Sequence, residues 1–205
     1  MSEEFKKLFF EVVDIYKEWF KPAYADLVAY IAQKPENILT EIENAFSHLM
    51  ISLDESENED IRKENVKKAY NHLARATLDC YKLLWVEIEK DINNIYHSDV
   101  KRLALTISEI EFLKLKKQFK EAILEARKVE QQYIGKDPLK AVPYYIKAIE
   151  IGKRIIDSLD ESKEERAKKF TLKGFLKREF ILCFLFGVIA GIVANWLFIW
   201  LKRFF

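Results

Sequence analysis

Glycine and proline are scarce in this 205-residue chain, at five and four residues. Few turns of the kind those residues build means few, long elements. With so much Lys, Glu, Leu, Ile and Ala, those elements are expected to be helices. The two cysteines, Cys80 and Cys183, stand far apart and form no disulfide framework or zinc-ligand spacing. They fit a reducing compartment. A strong charge of either sign is missing too: the formal net charge is +1, so no global bias points to nucleic acid. The start, MSEEFKK, lacks the basic, apolar and small-residue segments of a signal peptide. Catalytic signatures are also missing. There is no Gly-rich phosphate loop or HExxH and no GxSxG. The three histidines, His48, His72 and His97, are widely separated, and no Arg precedes one at the short spacing of HEPN-type helical ribonucleases. No catalytic, cofactor or metal residue is assigned, and an enzyme is not expected.

One long apolar run is present. Phe180 to Leu201, FILCFLFGVIAGIVANWLFIWL, carries no charge and one strongly polar residue, Asn195. At helical rise it is roughly 33 Å long, enough to cross a hydrocarbon core of about 30 Å. Seven Lys/Arg lie from Lys163 to Arg178, and two, Lys202 and Arg203, follow the run. The positive-inside rule then keeps the N-terminal body in the cytoplasm and sends the C-terminus across the cell (inner) membrane. Gly187 and Gly191 form GxxxG, and Ala194 and Asn195 extend that face by a turn. Small residues let helix backbones approach closely, and an Asn can add an interhelical hydrogen bond, so these four are the candidate self-association face. Lys169, Lys173, Lys177 and Arg178 are expected at anionic headgroups on one side, and Trp196 and Trp200 at the far interface.

The remainder divides into a helical body, 1–160, a charged connector, 161–179, and a tail, 202–205. Half the chain is hydrophobic and a third charged, enough for the body to bury one core. The first helix is expected over Ser2 to Gln33, with Phe5, Phe9, Val12, Tyr16 and Trp19 as its stripe, Leu8, Val13, Ile15 and Phe20 widening it, and Pro22 dividing it. Phe5, Phe9, Phe10, Trp19 and Phe20 are read as core rather than as a membrane-inserting face, because the helix lacks the basic polar side of surface binders. The second starts near Pro35, with Ile38, Leu39, Ile42, Ala45, Phe46, Leu49 and Leu53 inward, and ends in the acidic loop Asp54 to Asp60. The third, about Ile61 to Tyr96, is apolar on so broad an arc that it is placed centrally, touching two neighbours. The fourth is expected over Val100 to Tyr133, with Leu103, Ile107, Ile110, Phe119, Ile123, Ala126 and Val129 inward. The fifth follows Gly135 and Pro138 and includes Tyr145, Ala148 and Gly152. Ala141, Tyr145 and Ala148 in KAVPYYIKAIEI resemble the second helix of a tetratricopeptide-type or MIT-type hairpin. The resemblance covers about 40 residues, and tandem repeats need about three units, so it implies ordinary helix packing.

The expected fold is therefore all-α: a cytosolic antiparallel bundle of about five long helices, then one C-terminal transmembrane helix. Lys68, His72, Arg75 and Asp79 share one side of the third helix and form a candidate face for a ligand or partner. The function expected is that of a tail-anchored sensor or adaptor that self-associates through its span. Its partners are anionic lipid, further copies, and a cytosolic protein or small signal. The alternatives are a signal-gated, membrane-perturbing effector of a prokaryotic stress or defence system, or a membrane-tethered enzyme without a recognisable motif.

Overall fold

In the computed structural model, residues 2–201 are described, except for the side chains of 170–176 and 178. Ser2 opens the first helix. Its hydroxyl accepts from the Phe5 amide, and Glu3 and Glu4 sit in the positive first turn of α1, Glu3–Asp14. A π-helical turn, Ile15–Phe20, joins it to α2, Lys21–Ile31. In that turn the Lys21 amide donates to the Tyr16 carbonyl, five residues back. Pro22, in the first turn of α2, has no amide to give, and the wider turn lies immediately before it. One consequence corrects the expected stripe. The wider turn shifts the register, so Ile15 and Phe20 from the margin of the stripe are buried, while Tyr16 and Trp19 from its centre are exposed; Phe10, expected in the core, faces solvent on α1. α2 ends at Ala32, which takes a left-handed conformation with φ 54°.

Pro35 precedes α3, Glu36–Leu53. The acidic run begins with an Asx-type turn, in which Asp54 accepts from the Ser56 amide. Its last two residues already belong to α4, Glu59–His97. α4 is the centre of the first unit: α1, α2, α3 and α7 (Val142–Asp157) all pack on it. Val66, Ala69, Leu73, Thr77, Cys80, Leu84, Ile88, Ile92 and Ile95 of α4 are buried, as their period predicts. The neighbours exceed the two expected, which is why the apolar arc is so broad.

The predicted fourth helix is two. α5 is Asp99–Leu103 and α6 is Glu109–Gln132. Ser108 caps α6 by accepting from the Glu111 amide. Between the helices, Leu105 makes an isolated antiparallel bridge with Leu159. Leu103 and Ile110, expected inward, are exposed as a result. A 3₁₀ turn, Pro138–Ala141, leads into α7, which places Pro143 in its first turn. α7 packs on both α4 and α6.

Two compact units result. One is Met1–His97 with Ile107–Ser158, and the other is Ser98–Thr106 with Leu159–Phe205. In the second, α5 packs on α8, Glu161–Leu201, a single 41-residue helix. Among the described residues there is no strand, so the fold is all-α.

Burial of Cys80 gives a simple check. It is fully buried on α4, and desolvation pushes its thiol up to about 12. At pH 8 only about one molecule in ten thousand then carries the thiolate. In a Cys183→Ser background, iodoacetamide should leave Cys80 unmodified in the native chain and alkylate it in urea, as read by intact mass. Equal rates in the two states would contradict this packing.

Candidate functional site

Two regions of the first unit gather polar side chains, and they divide the face expected at Lys68, His72, Arg75 and Asp79. Lys68 pairs with Glu64 along α4 at 2.7 Å, and Arg75 is exposed. His72 turns toward α3: its Nδ1 lies 2.6 Å from Glu41 Oε2. Its ring stacks on His48 at 5.3 Å, and His48 Nδ1 is 2.7 Å from Asn65 Oδ1. That cluster fastens α3 to α4. Asp79, two turns further on, belongs to a different place.

Asp79 lies at a cleft of about 680 Å³, within the size range of small-molecule sites. α4 contributes Asp79, Lys82, Leu83, Trp85 and Val86. From α6 come Arg127, Glu130 and Gln131, with Ile134 just beyond; Asn37 comes from α3 and Tyr145 from α7. The spacings 79–82/83–86 and 127–130/131–134 are those of one helical face, which is why each helix presents a row to the cleft.

Four of these side chains, Asp79, Lys82, Glu130 and Tyr145, are linked to one another. The Tyr145 hydroxyl, on a side chain only 1% exposed, donates to Glu130 Oε2 at 2.6 Å. Lys82 Nζ lies 3.0 Å from Glu130 Oε1 and 3.4 Å from Asp79 Oδ1. Burial first, and then the Glu130 hydrogen bond, hold the Tyr145 proton far more tightly than usual. Burial opposes the charge on Lys82, but Glu130 and Asp79 outweigh it and its pKa rises. Asp79 is raised because its burial outweighs the attraction of Lys82. The Trp85 indole N–H is buried with no acceptor among the described residues. An unmet buried donor of this kind costs about 1–3 kcal/mol.

Sequence reasoning singled out Asp79 but missed Lys82, Trp85, Glu130 and Tyr145. Glu130 and Tyr145 lie on different helices, and only the α6–α7 hairpin brings them together. Among the described residues, no group of three His, Cys, Asp or Glu side chains could hold a metal ion.

The second unit carries the other expected site residues. Glu179–Leu201 is 23 residues with a mean hydropathy of 2.4, and none of its apolar window is buried. It is a helix long and apolar enough to cross a membrane. A methyl placed on Gly187 or Gly191 would meet nothing within 4 Å, and Ala194 and Asn195 are exposed. Lys169 and Lys177 are exposed before the segment, and Trp196 and Trp200 near its end. The Lys173 and Arg178 side chains, and residues 202–205, lie outside the described residues. No protein-family model, curated protein or solved structure matches this chain.

Proposed function

We propose that this chain is a single-span membrane protein whose helical domain, an antiparallel bundle, acts as a sensor or adaptor on the cytoplasmic side. The observation that carries the reading is the end of α8: more than five helical turns, apolar on every side, with no protein covering them. A helix hydrophobic all round needs a non-aqueous environment. The excess of Lys/Arg before the segment supports a cytoplasmic body in a cell membrane, with the basic flank among anionic headgroups. The cleft supports binding as the work of the body, because Asp79, Lys82, Glu130 and Tyr145 hold one another and Leu83, Trp85, Val86 and Ile134 line it beside them.

The span also joins copies. Gly187, Gly191, Ala194 and Asn195 share one helix face, and the glycines leave room for a second backbone. Light scattering on the detergent-purified chain should give a mass above that of one protomer. Gly187→Leu and Gly191→Leu should each shift the population toward monomer, since interhelical contacts in membranes are worth only about 1–2 kcal/mol. A monomeric wild type, or a mass unchanged in both variants, would remove this part of the reading.

A further inference from the structure

α3 is apolar on two adjacent arcs, and only one is used. Ile38, Ala45 and Ser52, seven residues apart, face inward and are buried. The substantial helix contacts of α3 are all with α4. Leu39, Ile42, Phe46, Leu49 and Leu53 follow at spacings of 3, 4, 3 and 4, the period of a helix–helix seam. They were expected inward with Ile38 and Ala45. Instead Phe46 is 59% exposed, Leu39, Leu53 and the adjoining Met50 are 42, 45 and 46% exposed, and Ile42 and Leu49 between them are half-buried. This stripe spans 15 residues, about four helical turns. Contiguous exposed apolar surface of this kind marks an interaction site.

Charge selects the occupant. α3 contains no Lys or Arg. Glu36 and Glu43, seven apart, run along the solvent edge of the stripe, and neither makes an ion pair among the described residues. Beyond its C-terminal end follow Asp54, Glu55 and Glu57. An anionic lipid surface would repel this edge, since membrane-lying helices carry basic polar faces. A second copy of α3 would bring like charges together along the seam. A helix with leucine-like residues on one side and Lys/Arg beside them would satisfy both the stripe and its edge.

We propose that the outer face of α3 docks a basic amphipathic helix of a partner protein. This names the partner class of the adaptor reading and rests on that reading. Its test is read separately from membrane attachment, so either can fail alone.

The full chain, in nanodiscs of zwitterionic phosphatidylcholine, is titrated into a fluorescein-labelled 18-residue helical peptide with leucines at heptad positions and flanking lysines. Empty discs and a scrambled peptide of the same composition serve as controls. Fluorescence anisotropy should show saturable binding by the patterned peptide, at least about tenfold tighter than by the scramble. Phe46→Asp and Leu39→Asp, both at exposed sites and each checked to keep the wild-type far-UV spectrum, should each weaken it about tenfold or more. Glu43→Lys should weaken it several-fold, and added salt should lower wild-type affinity. The proposal is overturned if the scramble binds equally, if empty discs account for the signal, or if Phe46→Asp binds like the wild type. It is also overturned if the peptide does not bind and Phe46→Asp turns a dimer into a monomer, which would assign the face to a second copy.

Discussion

Replacing Gly152 with leucine is expected to remove a large part of the stability of the helical domain. Gly152 lies where α7 passes between α4 and α6. A Cβ placed there would sit 2.4 Å from Ile88 Cγ2 and 2.9 Å from Phe119 Cε2. Both side chains are buried, at 0% and 2% exposed, in an interior packed too closely to yield without cost. Alanine alone would normally gain about 0.5–1 kcal/mol over glycine inside a helix. Overpacking a closed core costs about 1–3 kcal/mol, so Gly152→Ala should be destabilised by about 1–2 kcal/mol. Leucine adds three more carbons in the same place and should cost more than about 4 kcal/mol, a large part of a typical 5–15 kcal/mol. Urea denaturation followed by far-UV circular dichroism checks this. Glu150→Ala, on the exposed side of the same helix, should stay within about 0.5 kcal/mol of wild type. A Gly152→Leu chain with an unshifted midpoint would show that α7 does not pass α4 and α6 at this distance.

The sequence made the elements legible where one period ran unbroken. The buried row of α4 from Val66 to Ile95 is the clearest case, because 3.6-residue spacing repeats for eight turns with no glycine or proline inside it. Three features escaped for definite reasons. The π-helical turn before Pro22 moved burial from Tyr16 and Trp19, the centre of the expected stripe, to Ile15 and Phe20 at its margin, and a fixed period cannot register an inserted residue. The apolar arc of α3 is continuous, so spacing alone could not separate Ile38 and Ala45, which meet α4, from Leu39 and Phe46, which meet solvent. The break before α6 did leave a signal: Ser108 followed three residues later by Glu111 is the capping-box pattern. It was masked by the apolar residues Leu103, Leu105 and Ile107. The cleft was the least legible part. Asp79, Lys82, Glu130 and Tyr145 come from three helices, and no local pattern marks residues that meet only through topology.

The central claim is that Phe180 to Leu201 holds this chain in a bilayer. Every residue of that stretch is exposed in the structure, including Phe184, Phe186, Ile189, Ile192 and Trp196. In water such a surface would drive aggregation, whereas a hydrocarbon core of about 30 Å accepts its length and composition. Charge at its centre should reverse the preference. On insertion scales an arginine at mid-span costs about 2.5–3.5 kcal/mol, and Ile189→Arg with Val193→Arg places two on successive turns. Membranes from cells producing the full chain are to be extracted with alkaline carbonate. The wild-type chain is expected in the membrane pellet. The double arginine variant, and a chain ending at Glu179, are expected in the supernatant with the helical domain still folded by circular dichroism. A wild-type chain released by carbonate, or variants retained in the pellet as fully as the wild type, would contradict the account.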